Sequence, residues 1–302
     1  MPSILVTRKL PSSVLAKLEP VGTVELYAEG GVMPHDELIA RAVDKDALVC
    51  MLTDQIDRAV LDAAIRLKIA ANVAVGYNNV DVPYAKSKGV IVTNTPDVLT
   101  ESVADFTWAL ILAVTRRLSE GERLLRRGGW KGWAFDFMLG TELRGKQLGI
   151  VGSGRIGRAV AAKAPAFGMN AVFGQRAALD RLFVTSDVIS VHVPGGPGTR
   201  HLISRKTFAR MKRSAIFVNT ARGSVVDEEA LVWALRERLI AAAALDVFEN
   251  EPHVREELMT MENVVLAPHL GSATRETRTA MIDLAVSNVL AVAAGDPPIT
   301  PV

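Results

Sequence analysis

The chain has 302 residues, enough for two domains or one large one with a well-buried core. Hydrophobic residues make up 49%, charged residues 23%, and the net charge is only +2. That balance suits a globular protein and argues against nucleic-acid or membrane-surface binding. The single cysteine, Cys50, excludes an intrachain disulfide, and within LVCML it is expected to be a buried structural thiol. The N-terminus, MPSILVTRKL, enters a strand-like run without the long apolar core of a signal peptide. No apolar segment reaches ~18 residues, so no membrane span is expected and the protein is placed in the cytoplasm. No metal site is expected.

Short apolar runs alternate with helical patterns from the start. SILVT, VELYA, DALVCML, KIAANVAV and GVIVTNT read as strands; PSSVLAKLE, PHDELIARAV and QIDRAVLDAAI read as helices. This rhythm implies a parallel sheet covered by helices. At residue 97 it gives way to one long proline-free helical stretch that stops at Gly128 and Gly129. Arg126 and Arg127 read as its solvated end. An aromatic loop, WKGWAFDFMLGTELRG, follows. A second βαβ series then begins at KQLGIVGSGRIG, with strands expected at MNAVFG, DVISVHV, AIFVNT, IAAAALDVF and NVVLAP. The last helix, RETRTAMIDLAVSNVLAVAAG, can fold back onto the first series. The expected organisation is a small domain, residues 1–98 plus 283–302, with a larger one, 99–282, inserted into it.

GSGRIG stands between an apolar strand and a helical run, as a dinucleotide-binding turn requires. Gly152 permits the tight turn, Gly154 lets backbone approach a pyrophosphate, and Gly157 lets helix and strand pack closely. Free N–H groups at the helix start then face the phosphates.

Three residues at later strand ends could carry chemistry. Arg222, in VNTARGSVVDEEAL, can hold a carboxylate by two parallel hydrogen bonds. Glu251 follows a strand in LDVFENEP. His269, in LAPHLGSAT, titrates near neutral pH and can deliver and recover a proton. Of the other histidines, His35 and His201 read as surface or loop residues, His192 as part of a strand and His253 as a loop residue. Arginine, carboxylate and histidine on the sheet edge that carries the glycine loop suit hydride transfer between a nicotinamide and a 2-oxo acid.

VAVGYNNVD, NTPDVLTESVADF, LRGKQLGIVGSGRIGRAVA, VNTARGSVVDEEAL, ALDVFENEP and APHLGSATRET together resemble the D-isomer-specific 2-hydroxyacid dehydrogenases over nearly the whole chain. NNVD, TESVADFTWALILA, the GSATRET end and the Trp130–Trp133 loop are most similar to the glyoxylate and hydroxypyruvate reductase branch. The resemblance implies an α/β fold of two parallel-sheet domains with helices on both faces. A Rossmann-type cofactor domain is inserted into a flavodoxin-like substrate domain. It implies that Arg222 binds the substrate carboxylate, that His269 donates the proton to the C2 oxygen, and that Glu251 orients His269. It places Asp246 near the nicotinamide carboxamide, with Arg155, Ile156, Thr220, Ala221 and Gly271 as further cofactor contacts. Thr53 in the Leu52–Thr53 loop, with Val75 and Gly76, would face the substrate from the small domain. The helix beginning near Thr100 would form much of a homodimer interface. Two readings stay open: a relative acting on another substrate (2-ketogluconate, a D-lactate-type acid or 3-phosphoglycerate), and a dinucleotide-sensing scaffold without turnover.

Where NAD-preferring sites carry an acid on the ribose, this chain has Gln175, followed by Arg176. NADPH is therefore the favoured cofactor, with NADH as a substitute. Only RAALDRLFVTS separates that point from the strand beginning at Asp187. The nucleotide domain is accordingly expected to be shortened between Arg176 and Asp187, losing the outer third strand of the order 3-2-1-4-5-6.

Overall fold

The structure, a computed structural model, describes residues 1–174 and 179–302. The chain divides into two compact units, Met1–Leu99 with Thr274–Val302, and Thr100–Ala273. The second division falls at Thr274, whose hydroxyl caps the last helix by accepting the Thr277 N–H at 3.1 Å. The expected boundary at 282–283 would cut that helix, so it moves to the cap.

In the first unit β1 (Ser3–Val6), α1 (Ser12–Leu18), β2 (Thr23–Leu26), α2 (His35–Ala42), β3 (Ala47–Met51), α3 (Arg58–Ala63), β4 (Ile69–Val73), α4 (Val82–Ser87) and β5 (Ile91–Thr93) alternate. The strands form one parallel sheet in the order β2-β1-β3-β4-β5. Successive side chains point to opposite faces of a strand. Leu5, Leu48, Cys50, Ala70 and Val92 therefore enter one core with residues of α2, α3 and α4. Burial pushes the Cys50 thiol pKa up, so it stays protonated.

The final helix, α12 (Arg275–Ala294), packs on β3, β4 and α1 across the other face. Contrary to the expectation from apolar runs, it has the length and composition of a membrane span. Its contacts are those of a packed helix of the sheet. Asp283 pairs with Lys17 at 2.7 Å, and buried Asn288 holds the C-terminal tail by accepting the N–H groups of Ile299 (2.8 Å) and Thr300 (2.9 Å).

The second unit begins with α5 (Thr100–Thr115) and α6 (Leu118–Arg126), where one long helix was expected. The break is at Arg117, which adopts a left-handed φ of 53°. The returning chain causes it: the Thr141 N–H takes the Thr115 carbonyl at 2.7 Å and ends the helical ladder. Then come β6 (Gln147–Val151), α7 (Arg155–Lys163), β7 (Asn170–Gly174), α8 (Leu179–Thr185), β8 (Val188–Val191) and α9 (Arg205–Phe208). The unit ends with β9 (Ile216–Asn219), α10 (Glu228–Arg236), β10 (Ala242–Leu245), α11 (Glu256–Thr260) and β11 (Val264–Leu266).

All six strands are parallel, in the order β11-β10-β9-β8-β6-β7. Ile189, Val191, Phe217, Ala243 and Leu245 face one core, and Val188, Ile216, Val218 and Ala244 the other. Burial on both faces explains why these strands read as unbroken apolar runs. Among the described residues β7 is the sheet's edge, and Val172 and Phe173 there are exposed. α8 begins at Leu179 and packs directly on β7 and β6, so close that a Cβ on Gly174 would lie 2.7 Å from Leu179 Cδ2.

Asn288→Ala removes the acceptor of two tail N–H groups. It should cost about 1–3 kcal/mol in denaturant unfolding and speed amide exchange at Ile299 and Thr300. Unchanged exchange there would disprove the role of Asn288 in holding the tail.

Candidate active site

Because β9, β10 and β11 are parallel neighbours, the segments that follow them leave the same edge of the sheet. Arg222 follows β9, Glu251 follows β10 and His269 follows β11. The glycine loop follows β6 at that edge.

Glu251 and His269 meet directly, with Nδ1 of His269 2.8 Å from Oε2 of Glu251. The other carboxylate oxygen of Glu251 accepts the Phe248 N–H at 3.0 Å. Burial pushes the Glu251 carboxyl pKa up, but the bond to His269 and its charge outweigh this, helped by the Phe248 N–H and Arg222. The net shift is downward, and Glu251 is ionised at neutral pH.

His269 has a φ of 56°, a left-handed backbone that non-glycine residues seldom adopt. Such an outlier persists only where its surroundings impose it. Here the Asp246 carboxylate, 1% exposed, accepts the N–H groups of Leu270 (2.6 Å) and Gly271 (2.9 Å). The His269 N–H donates to the Asp246 carbonyl at 2.9 Å. Ser102 of α5 donates its hydroxyl to the Gly271 carbonyl at 3.0 Å. Burial raises the Asp246 pKa against the pull of those two N–H groups. Asp246, expected beside the cofactor, is thus engaged by both oxygens in shaping the histidine loop.

Arg222 is half-buried, and its Nη1 donates to the Ala221 carbonyl at 2.7 Å. Burial lowers its pKa, opposed by the charge of Glu251. The turn is shaped by Asn219, which accepts the Ala221 N–H and donates to the Arg222 carbonyl, both at 3.0 Å. The next residue must be glycine: a Cβ on Gly223 would lie 1.8 Å from the Phe248 carbonyl carbon. The backbone beside Arg222 therefore rests on the turn that leads to Glu251. Glu228 braces that turn from below, accepting the Glu249 N–H at 2.6 Å while itself buried. Asp227 caps α10 through Ala230, so the acids near Arg222 have structural partners of their own.

The glycines behave as dinucleotide binding requires. Gly152 has a φ of 109°, and a Cβ there would lie 2.5 Å from the His192 carbonyl oxygen. At Gly157 a Cβ would meet the Gly152 carbonyl at 2.2 Å, so helix and strand are in backbone contact. At Gly154, the N-cap of α7, a Cβ would meet nothing within 4 Å, which leaves the helix start open to a phosphate. Arg155 is exposed there, and Ile156 packs into the core beneath. Thr220 is buried, its hydroxyl 2.9 Å from that of Thr107 on α5. Ala221 and Gly271 line the same strand ends; Gln175 and Arg176 lie outside the described residues.

The substrate-facing candidates of the first unit are fastened by a polar network that the sequence motifs did not reveal. Thr53 accepts from Arg8 at 2.9 Å, the Gly76 carbonyl accepts from Asn72 at 3.0 Å, and the Val75 carbonyl accepts from Asn94 at 2.8 Å. His192, expected inside a strand, lies just past the end of β8 beside the glycine loop. Its ring is 2.8 Å from the Ser190 hydroxyl, and burial pushes its pKa down, so it is neutral. Two surface pockets of the second unit, about 640 and 620 Å³, contain none of Arg222, Glu251 and His269. Chemistry rather than volume marks this site.

The depressed pKa of Glu251 gives a test with a definite sign. A carboxyl held below its ordinary value adds stability above that value and loses it as pH falls through the depressed one. His269→Gln should raise the Glu251 carboxyl pKa toward the ordinary glutamate range, read by carbon NMR. The stability gap between the two proteins should close in acid. An unmoved Glu251 titration would show that the pair is not coupled. Gly223→Ala should lower turnover by about 10²-fold by displacing the Phe248–Glu251 turn, measured as kcat at saturating substrate.

Residues 108–271 match the family model described as D-isomer specific 2-hydroxyacid dehydrogenase, NAD binding domain. The chain is 43% identical to the glyoxylate reductase of Thermococcus litoralis, over 98% of this chain and 95% of that protein. That match runs over 315 aligned positions, more than the 302 residues present here, so the relative carries residues with no counterpart in this chain. A crystal structure of a Thermus thermophilus protein superposes with a TM-score of 0.93 at 44% identity over 99% of each chain. The NADPH-dependent glyoxylate/hydroxypyruvate reductase of Sinorhizobium meliloti, in complex with NADP and malonate, does so with a TM-score of 0.88 at 37% identity, over 100% of this chain and 96% of that one. Fold, strand-end residues, glycine loop and full-length similarity agree, and the chain belongs to the D-isomer specific 2-hydroxyacid dehydrogenases.

Proposed function

We propose that this protein is an NAD(P)H-dependent reductase of small 2-oxo acids, glyoxylate and hydroxypyruvate, giving the D-2-hydroxy acid where C2 becomes chiral. The observation that carries this is the Glu251–His269 pair, built on a strained backbone beside Arg222 at the strand ends. Arg222 binds the substrate carboxylate through its planar fork and helps polarise the oxo group. His269 delivers its proton to the C2 oxygen, from the nitrogen not taken by Glu251. Glu251 fixes the orientation of the ring and offsets its charge. A reduced nicotinamide dinucleotide, when bound, supplies the hydride that C2 receives. Gly152, Gly154 and Gly157 with the start of α7 would hold its pyrophosphate, with Arg155, Ile156, Thr220, Ala221 and Gly271 along the same edge. Asp246 holds the His269 loop at the nicotinamide end of the site. Thr53, Val75 and Gly76 contact the substrate. Among the described residues the Val75 and Gly76 N–H groups have no acceptor, which leaves them to an oxyanion.

NADPH is the preferred cofactor and NADH a substitute. Gln175 in place of an acid does not repel a 2′-phosphate, and Arg176 can pair with it. The protein works as a cytoplasmic homodimer. In support, α6 has no buried residue, and Trp133 and Phe135 in the following loop are 83% and 85% exposed, a surface suited to burial against a second copy.

The assay is the loss of dihydronicotinamide absorbance with glyoxylate and hydroxypyruvate; no turnover with either would leave the scaffold reading in possession. His269→Ala should lower kcat by roughly 10²–10⁴-fold with little change in KM. Arg222→Ala removes up to two charge-assisted bonds of about 1.5–3 kcal/mol each and should raise KM as well as lower kcat. Gln175→Asp should move the ratio of kcat/KM for NADPH over NADH toward NADH, and a ratio that stays put would refute the cofactor assignment.

A further inference from the structure

Glu251 stands on an exposed turn after β10, yet its carboxylate must meet His269 at a fixed distance. Its neighbour Glu249 shows what holds that turn from behind. The Glu249 N–H is taken by buried Glu228, at the start of α10, at 2.6 Å. The Glu249 carboxylate, only 12% exposed, reaches a different element, the loop after β8. There its Oε1 accepts Arg200 Nη2 at 2.9 Å and lies 2.6 Å from His201 Nε2. A carboxylate can only accept, so His201 presents Nε2–H to it. Two donors from one loop thus converge on one oxygen.

That loop is itself held in place. The Thr199 hydroxyl donates to the Pro194 carbonyl at 2.6 Å. His201 has a left-handed φ of 50°, a conformation that persists only where its surroundings impose it. Its N–H donates to the Ser224 carbonyl at 2.9 Å, and the Ile203 N–H to the Val225 carbonyl at 3.0 Å. His201 therefore binds the segment after Arg222 with its backbone and the segment before Glu251 with its side chain. The other end of the loop lies close against Arg222: a Cβ on Gly195 would be 3.0 Å from Arg222 Cγ. An ion pair open to water would add little. The Glu249 carboxylate is mostly withdrawn from water, so stripping its partners leaves a polar group unsatisfied.

We propose that Glu249 is a positioning residue of the reaction: latched by Arg200 and His201, it fixes the turn from which Glu251 reaches His269. Phe248, next to the latch, donates its N–H to Glu251 Oε1 at 3.0 Å, and Glu251 Oε2 meets His269 Nδ1 at 2.8 Å. A shift of the turn thus reaches the histidine through two short bonds. All of these residues belong to one compact unit. The kinetic consequence rests on the reductase reading above and deepens it.

Glu249→Ala removes the latch from one side, and the double variant Arg200→Ala with His201→Ala removes it from the other. Each should lower kcat by about tenfold, with KM for glyoxylate little changed. The three substitutions together should do no more than either. Glu249→Gln keeps an oxygen for Arg200 and His201 to bind and should recover most of the loss. In Glu249→Ala the Glu251 carboxyl should titrate closer to the ordinary glutamate range, read by carbon NMR, because its bonds to His269 and Phe248 loosen. A brace that served stability alone would lower the melting temperature and leave kcat and the Glu251 titration of the folded variants unmoved, and that result overturns the proposal. So does an equal loss in Glu249→Gln and Glu249→Ala, which would make charge rather than the latch the cause. If Glu249→Ala does not fold, the Arg200 and His201 double variant decides. Wild-type inactivity toward glyoxylate and hydroxypyruvate sinks the reductase reading, whereas the Glu251 titration, which needs no substrate, still decides the latch.

Discussion

Both oxygens of a buried aspartate hold the loop of His269 in place. Asp246 ends β10 and takes the N–H groups of Leu270 and Gly271, which follow β11, the neighbouring strand. Those bonds span two strand ends and force the intervening backbone into the left-handed turn at His269. The turn is unfavourable in isolation for a residue with a Cβ. It survives because the carboxylate would otherwise be buried without partners, a larger penalty. The position of the ring and its contact with Glu251 both follow from this one accommodation.

Around it, the site is assembled by steric exclusion as much as by attraction. Gly223 lets the chain beside Arg222 lie against the turn from Phe248 to Glu249, and Gly157 lets α7 lie against the loop at Gly152. In each place the nearest atom is backbone, which cannot yield as a flexible side chain could. These glycines hold the strand ends close together, and the rigid two-faced core beneath them keeps the edge in register. Gly154 is the contrasting case, where the absence of a side chain leaves room for a ligand rather than for the protein.

The first unit uses a different device. Its loops after β3 and β4 are joined by buried amides and a carboxylate: Asn79 binds the carbonyls of Met51 and Asp54, and Asn72 links Asn79 to Gly76. A buried polar network of this kind is favourable only if its members find partners, so it fixes one loop geometry and disfavours others. Arg8 is where the network stops being self-sufficient, with Nη1 lacking an acceptor among the described residues.

The periodicity of the chain by itself determined the two parallel sheets, because strands buried on both faces must be apolar throughout and their crossovers must be helical. The glycine loop, Arg222, Glu251 and His269 were legible too, since turn glycines and strand-end polar residues stand out against those apolar runs. The helix break at Arg117 was not legible: a backbone bond from Thr141 causes it, and helix periodicity carries no trace of that. Nor was the hold of Asp246 on the histidine loop, or the part played by Asn72 and Asn79, which look in sequence like ordinary polar residues near strands. Only the tertiary structure decided their roles, because a polar side chain acquires one when burial removes water and leaves a few particular groups within hydrogen-bonding reach.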